Sequence, residues 1–192
     1  TEYQFNPEIA IIKIGANFRQ YRPDSKGSIF MDTATKIINN EAGIYLGVEA
    51  DLFGEFLKIS ATLRADKNEN FNLNFSPATS LIYKPNTKDV IRLSISSAIR
   101  NPTLSDQYLF YNAGRAILIG NLNGHGSDYG ENLVTIQSLI NYYLPAAQSK
   151  DSLKFFSVAP IQPEKANSAE IGYRTTIYDK IYLDVNYYYS QY

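Results

Sequence analysis

The chain has 192 residues, with 18 Lys plus Arg, 19 Asp plus Glu and a net charge of −1. That balance excludes a nucleic-acid binder held by phosphate contacts, which needs a basic excess. Cys is 0 and His125 is the single histidine, which excludes disulfides, thiolate nucleophiles and multi-His metal centres.

No apolar run approaches the roughly 18 residues of a membrane-spanning helix. A spanning strand needs only about 10 residues, apolar at alternate positions. The chain starts Thr1-Glu2-Tyr3, without initiator Met or signal peptide, and reads as a mature segment or an internal fragment.

The dominant period is two. Ile12, Ile14, Ala16 and Phe18 alternate with Lys13, Gly15, Asn17 and Arg19. Ala42 to Asp51 sets Ala42, Ile44, Leu46, Val48 and Ala50 against Gly43, Tyr45, Gly47, Glu49 and Asp51. Leu57 to Asp66 sets Leu57, Ile59, Ala61, Leu63 and Ala65 against Lys58, Ser60, Thr62, Arg64 and Asp66. Phe75 to Lys84 places Pro77, Thr79, Leu81 and Tyr83 on one side. Ile91 to Arg100 sets Ile91, Leu93, Ile95 and Ile99 against Arg92, Ser94, Ser96 and Arg100. Asn167 to Tyr178 has Ile171, Tyr173, Thr175 and Ile177 opposite Glu170, Gly172, Arg174 and Thr176. Ile181 to Ser190 sets Ile181, Leu183, Val185, Tyr187 and Tyr189 against Tyr182, Asp184, Asn186, Tyr188 and Ser190. The pattern predicts about seven antiparallel strands.

Their links alternate in length. Residues 53–56, 85–88 and 179–180 are short and carry turn chemistry. Residues 22–40, 67–73 and 101–165 are longer. Within the last, Thr103 is a candidate cap for a helix over Leu104 to Tyr111. Leu133, Ile136, Leu139, Ile140 and Tyr143 fall at helical spacing before Pro145.

Alternation alone does not say which solvent the apolar face meets. Three features point to a transmembrane barrel with a wet lumen. The strands are long enough to cross hydrocarbon about 25 Å tall. Tyr and Phe gather near strand ends, where rings with one polar edge favour the membrane interface. The other face carries Arg19, Glu49, Lys58, Arg64, Arg92, Glu170, Arg174 and Asp184, charges of both signs that suit a hydrated interior. Seven strands do not close a barrel of even strand number, and an open edge in lipid is costly. The expectation is a fragment of a longer polypeptide.

The string Ala98-Ile99-Arg100-Asn101-Pro102-Thr103-Leu104-Ser105-Asp106-Gln107-Tyr108, followed by Ile161-Gln162-Pro163-Glu164-Lys165-Ala166-Asn167-Ser168-Ala169-Glu170-Ile171-Gly172-Tyr173, resembles the C-terminal barrel of TonB-dependent outer-membrane receptors, with a Bacteroidota flavour. Those motifs enter and leave a long external loop in that family. Here Asn101 stands between Arg100 and Pro102, and Asp106 stands in place of Glu. The match covers residues 75–192 by motif and 8–74 by hairpin layout.

The resemblance implies an all-β, antiparallel up-and-down barrel of about 22 strands around a plug, of which this chain holds about seven. It also implies that residues 1–192 belong to one barrel domain, that the loop of about 101–165 is extracellular, and that the plug lies outside this chain. The implied function is active uptake across the outer membrane of a large or scarce nutrient (siderophore, haem, cobalamin or glycan), energised by the TonB complex through the plug. Outer-membrane lipid and a surface lipoprotein are further implied partners, and no cofactor is implied. The rivals are a passive porin or adhesin barrel and a soluble β-sandwich or lipocalin-like binding module.

Tyr108, Phe110, Tyr111 and Arg115 are candidates for stacking on a ligand; self-packing of the loop is the plain alternative. Arg64, Arg92, Arg100, Glu170 and Arg174 are candidates for facing the lumen and the plug, with pairing inside the wall as the alternative. His125 in its Gly- and Asn-rich loop, and Asp24 with Asp32, are weak metal candidates beside a plain solvated loop. The stretch Leu133 to Leu144 grips a partner or packs on its own loop. No Ser/His/Asp set, phosphate loop or carboxylate pair points to catalysis.

Overall fold

The computed structural model describes residues 1–54, 56–144 and 150–192. In chain order the elements are β1 (Glu2–Phe5), β2 (Ala10–Tyr21), β3 (Asn39–Leu52), β4 (Leu57–Asn68), β5 (Asn74–Tyr83), β6 (Val90–Arg100), α1 (Leu104–Tyr108), β7 (Phe110–Asn112), β8 (Ile117–Ile119), β9 (His125–Gly126), α2 (Ile136–Tyr143), β10 (Ser157–Val158), β11 (Glu164–Ile177) and β12 (Ile181–Gln191). They form two compact units. The first is Thr1–Arg22, Ile38–Asn101 and Pro163–Tyr192; the second is Pro23–Ile37 and Pro102–Gln162.

The first unit is an antiparallel sheet of eight strands in the order β1-β2-β3-β4-β5-β6-β11-β12. The seven strands legible as alternating runs are all present. The additional one, β1, is only four residues long, too short for its period to show. It adds Tyr3 beside Ile14 and Phe5 beside Ile12.

Register carries the alternation across the whole sheet. Ile14, Leu46, Leu63 and Pro77 pair in succession across β2 to β5. Leu81 pairs Leu93, Leu93 pairs Ile171, and Ile171 pairs Tyr187. A slip of one residue at any pair would turn that strand's apolar set to the other side. None occurs, so one face is apolar from β1 to β12 and the other is polar.

The apolar face is not a core. Ile44 is 64% exposed, Ile95 57% and Val185 55%. Among the described residues the buried hydrophobic side chains are Phe71 and Val90. The chain exposes 14102 Å², whereas a folded soluble chain of this length exposes about 9,000 Å². A soluble sandwich or lipocalin would hide this face; here it is presented outward.

The link after β4 is shorter than the sequence suggested. Lys67 and Asn68 stay in the strand, so only residues 69–73 lie between β4 and β5. This turn is held by Asn68, whose side-chain oxygen accepts from the Asn70 N–H at 2.9 Å, and by burial of Phe71. The two truly long links are residues 22–38 and 101–163.

In the second unit, α1 starts as expected at Leu104. Thr103 accepts from the Asp106 N–H, and the Asp106 carboxylate accepts from the Thr103 N–H at 2.8 Å, a reciprocal cap. It stops three residues earlier than the sequence suggested. Leu109 turns extended, and Phe110–Asn112 pairs with Ile117–Ile119 instead. Helix α2 is capped by Thr135. Its stripe of Ile136, Ile140 and Tyr143 faces out, Tyr143 at 70% exposure, while Ser138 is the buried position. Leu133, at the start of the stripe, is half-buried, so the loop covers the stripe only in part. Pro145, the expected stop signal, lies outside the described residues.

Candidate functional site

The polar face of the sheet is a set of side chains laid flat over glycines. On β4, Arg64 makes a two-pronged contact with Asp66: Nε donates to Oδ2 at 2.5 Å and Nη2 to Oδ1 at 2.7 Å. Nη2 also donates to Asn17 Oδ1 at 3.1 Å. This network lies over Gly43, where a Cβ would come 2.4 Å from Asp66 Oδ1 and 2.7 Å from Asn17 Oδ1. On β6, Arg92 Nη2 donates to Asp184 Oδ1 at 2.6 Å and to Asn186 Oδ1 at 2.9 Å. Tyr45 lies over Gly15 and donates its hydroxyl hydrogen to Glu2. Lys58 pairs with Glu49 across β3 and β4.

Glycine in a strand interior usually weakens it. Here Gly15, Gly43 and Gly172 each open a bed for polar side chains from a neighbouring strand. The result is a wall whose charges are mostly matched within itself.

The candidate wall residues divide accordingly. Arg64 and Arg92 are paired inside the sheet. Arg100 reaches Glu164 at 3.7 Å, both largely exposed. Arg174 is half-buried opposite Asp184 in register, and Glu170 is exposed opposite Ser94 and Tyr188. Among the described residues neither Glu170 nor Arg174 is in an ion pair. Partners that a reading of residue types missed, Asp66, Asn17 and Asn186, are signalled by the polar-face glycines Gly43 and Gly172 beside them.

One end of this wall carries a buried amide cluster. Asn39 and Asn68 are each 1% exposed. Asn68 Nδ2 donates to Asn39 Oδ1 and to Glu41 Oε1, both at 2.9 Å. Asn40 donates to Glu69 Oε2 from its side chain at 2.8 Å and from its backbone at 3.0 Å. The opposite rim holds Asp89, which accepts from the Tyr173 hydroxyl and from Asn86. Donors from Thr175 first, then Asn86 and Tyr173, hold the Asp89 carboxyl below its ordinary pKa of 3.8.

In the second unit the four ligand candidates share one stretch of chain. Tyr108 ends α1 half-buried. Phe110 is half-buried, and its N–H donates to the Ile29 carbonyl at 2.8 Å. Tyr111 is exposed opposite Leu118, and Arg115 sits exposed in the turn between β7 and β8. Phe110 and Tyr111 are consecutive in a strand and so point to opposite faces of the hairpin. The structure keeps these residues close in chain without collecting all four on one surface.

The Asp32 carboxylate accepts from the Ser25 N–H, from Ser25 Oγ at 3.0 Å and from the Gly27 N–H at 2.7 Å. The Ser25 amide above all holds its pKa low. Those donors use the oxygens a cation would need, so Asp32 staples its loop. His125 sits between Gly120 and Glu131, with Nε2 3.0 Å from the Gly120 carbonyl and Nδ1 3.0 Å from Glu131 Oε2.

Comparison with known proteins agrees with this architecture. No curated protein matches the chain. The siderophore receptor PirA from Pseudomonas aeruginosa is similar in structure, with a TM-score of 0.61 at 17% identity over 98% of this chain and 30% of that one. The siderophore receptor PirA from Acinetobacter baumannii has the same TM-score, 0.61, at 14% identity over 98% of this chain and 25% of that one. The chain thus spans less than a third of either receptor, and at such identity the likeness is one of fold. The family model described as TonB dependent receptor-like, beta-barrel matches residues 2–192. An outward apolar face, a glycine-bedded polar wall and a family match over nearly the whole length converge: the chain belongs to the TonB-dependent receptor β-barrel family, a family of outer-membrane receptors and not of enzymes.

Proposed function

We propose that this chain forms part of the barrel wall and the external ligand-capture loops of an active outer-membrane importer. The observation that carries the reading is the outward apolar face running in register from β1 to β12. Its natural solvent is acyl chain, while the polar wall faces a hydrated lumen. The edge strands β1 and β12 leave one side of their backbone unpaired in the sheet. Hydrocarbon does not tolerate such edges, so further strands of the same polypeptide complete the barrel.

In this reading residues 1–192 are one portion of the barrel domain. The turns at 53–56, 84–89 and 178–180 face the periplasm, and the long segment 101–163 faces outside. A plug elsewhere in the polypeptide fills the lumen, and the TonB complex works on it. The substrate is a nutrient too large or too scarce for a porin: a siderophore, haem, cobalamin or a glycan. Because the two similar structures are named siderophore receptors, ferric siderophores are the first class to assay.

The test is uptake of labelled ferric siderophores, haem, cobalamin and oligosaccharides by cells carrying the full-length receptor, with and without TonB. Uptake of one class that disappears without TonB supports the importer. Diffusive uptake of small solutes that is indifferent to TonB sinks it in favour of a porin.

A further inference from the structure

Both ring nitrogens of His125 face oxygen acceptors. Nδ1 meets the Glu131 carboxylate and Nε2 meets the Gly120 carbonyl, each at 3.0 Å. A neutral imidazole has one N–H and one lone pair. It can donate to one of these acceptors and must set its lone pair against the other. Only the doubly protonated ring donates to both. The site is built for an imidazolium.

The charge environment agrees. The Gly120 carbonyl, and after it the Glu131 carboxylate, raise the His125 pKa above its ordinary 6.5, against the opposing effect of partial burial. Glu131 is the charged group acting on the ring. Strand β10, paired with β9, brings Ser157 and Val158. The 3-10 turn Ser127–Tyr129 brings Asp128 and Tyr129, and among the described residues neither of these bonds to the imidazole.

The two acceptors belong to different parts of the unit. The Gly120 N–H donates to the Leu109 carbonyl at 2.7 Å. A Cβ at Gly120 would lie 2.6 Å from the backbone of Gln107, Tyr108 and Leu109, so this glycine is pressed against the end of α1. Tyr108, Phe110 and Tyr111 leave from that point. Glu131 lies beyond β9, its N–H bonded to the Gly126 carbonyl at 2.9 Å.

We propose that His125 is a proton-operated latch in the second unit: protonated, it ties Glu131 to Gly120 and so holds the segment bearing Tyr108, Phe110 and Tyr111, and deprotonated, it releases one of the two. Its folded-state pKa is raised, so the contribution is complete below pH 6.5 and is lost as pH rises through the folded value. Tighter ligand capture at mildly acidic pH is the consequence if that segment captures ligand as proposed above; the latch itself does not rest on that role.

The experiment is hydrogen exchange with mass spectrometry on the full-length receptor in lipid nanodiscs, read on peptides within residues 117–131 and corrected for intrinsic rates, from about pH 5.5 to about pH 8.5. In the parent receptor, protection of this segment falls about tenfold as the pH rises, the worth of one charge-assisted hydrogen bond. In His125→Gln, protection is low and flat. A flat profile in the parent receptor, or an unchanged pH profile in His125→Gln, overturns the latch. Should the variant lose protection in the sheet as well, Glu131→Gln replaces it: a shallower profile supports the latch and an unchanged one overturns it. Ferric siderophore affinity at the two pH extremes is measured in parallel. Constant affinity beside a titrating latch counts against capture by Tyr108 to Tyr111 and not against the latch.

Discussion

Gly172 lies under Arg92: a Cβ at position 172 would stand 3.2 Å from Arg92 Nε and 2.3 Å from Asn186 Oδ1. The arginine reaches Asp184 because the strand between them carries no side chain at the crossing point. Gly172→Ala needs the Asn186 amide to swing aside and the Arg92 guanidinium to yield by a few tenths of an ångström, both being far ends of flexible side chains. Gly172→Phe fills the bed and separates Arg92 from Asp184. The alanine variant should keep near-parent resistance to denaturant. The phenylalanine variant should lose about 1 to 3 kcal/mol, the usual range for overpacking. Guanidinium titration of the full-length receptor checks both; equal resistance in the two variants would mean that the glycine bed is incidental.

The Asn39–Asn68 cluster is the most buried polar feature of the wall. Asn68→Ala removes the amide donor to Asn39 Oδ1 and Glu41 Oε1 and the oxygen that accepts from the Asn70 N–H. One buried unsatisfied group costs about 1 to 3 kcal/mol. The prediction is a drop of that order, together with faster hydrogen exchange confined to the turn at 69–73. Exchange that rises evenly along β4 and β5 would contradict the local role.

Asp89 at the turn rim has its carboxyl pKa held down by Thr175, Asn86 and Tyr173 donors. A depressed folded pKa means the contribution is present above the ordinary 3.8 and is lost as pH falls through the folded value. Asp89→Asn should therefore lower stability at neutral pH and flatten the acid limb, so that parent and variant converge below about pH 4. Denaturant midpoints taken across that limb provide the check.

Leu46 and Thr62 stand on opposite faces of neighbouring strands. Leu46→Arg sets a charge in hydrocarbon, at about 2 to 4 kcal/mol near the midplane. Thr62→Arg sets the same charge toward water. The first should leave little folded receptor in the outer-membrane fraction and the second should leave nearly the parent amount, as read by membrane fractionation and heat-modifiable mobility.

The sheet was legible because its signal is purely local. Period two in Ala42 to Asp51 or Ile181 to Ser190 requires no knowledge of partners, and the pairing register then follows from turn length. What stayed hidden depends on residues distant in chain. Arg92 and Asp184 meet only because Gly172 lies between them. The exposed stripe of α2 reads the same in sequence whether covered or bare. Helix α1 ended early because Phe110 found Ile119 as a strand partner, a long-range pairing that outweighs a marginal helical preference. Strand β1 was missed because four residues carry too little pattern.

The central claim is that the Ile, Leu and Val side of the sheet meets acyl chain. It is tested most directly by nitroxide labels on single cysteines, a residue these 192 positions lack, placed at Leu46, Leu63 and Ile95 on one face and at Thr62, Ser80 and Ser96 on the other in the full-length receptor in bilayers. The account predicts high oxygen and low nickel-chelate accessibility at the first three positions and the reverse order at the second three. Chelate access to Leu46, Leu63 and Ile95, or no difference between the faces, would contradict it.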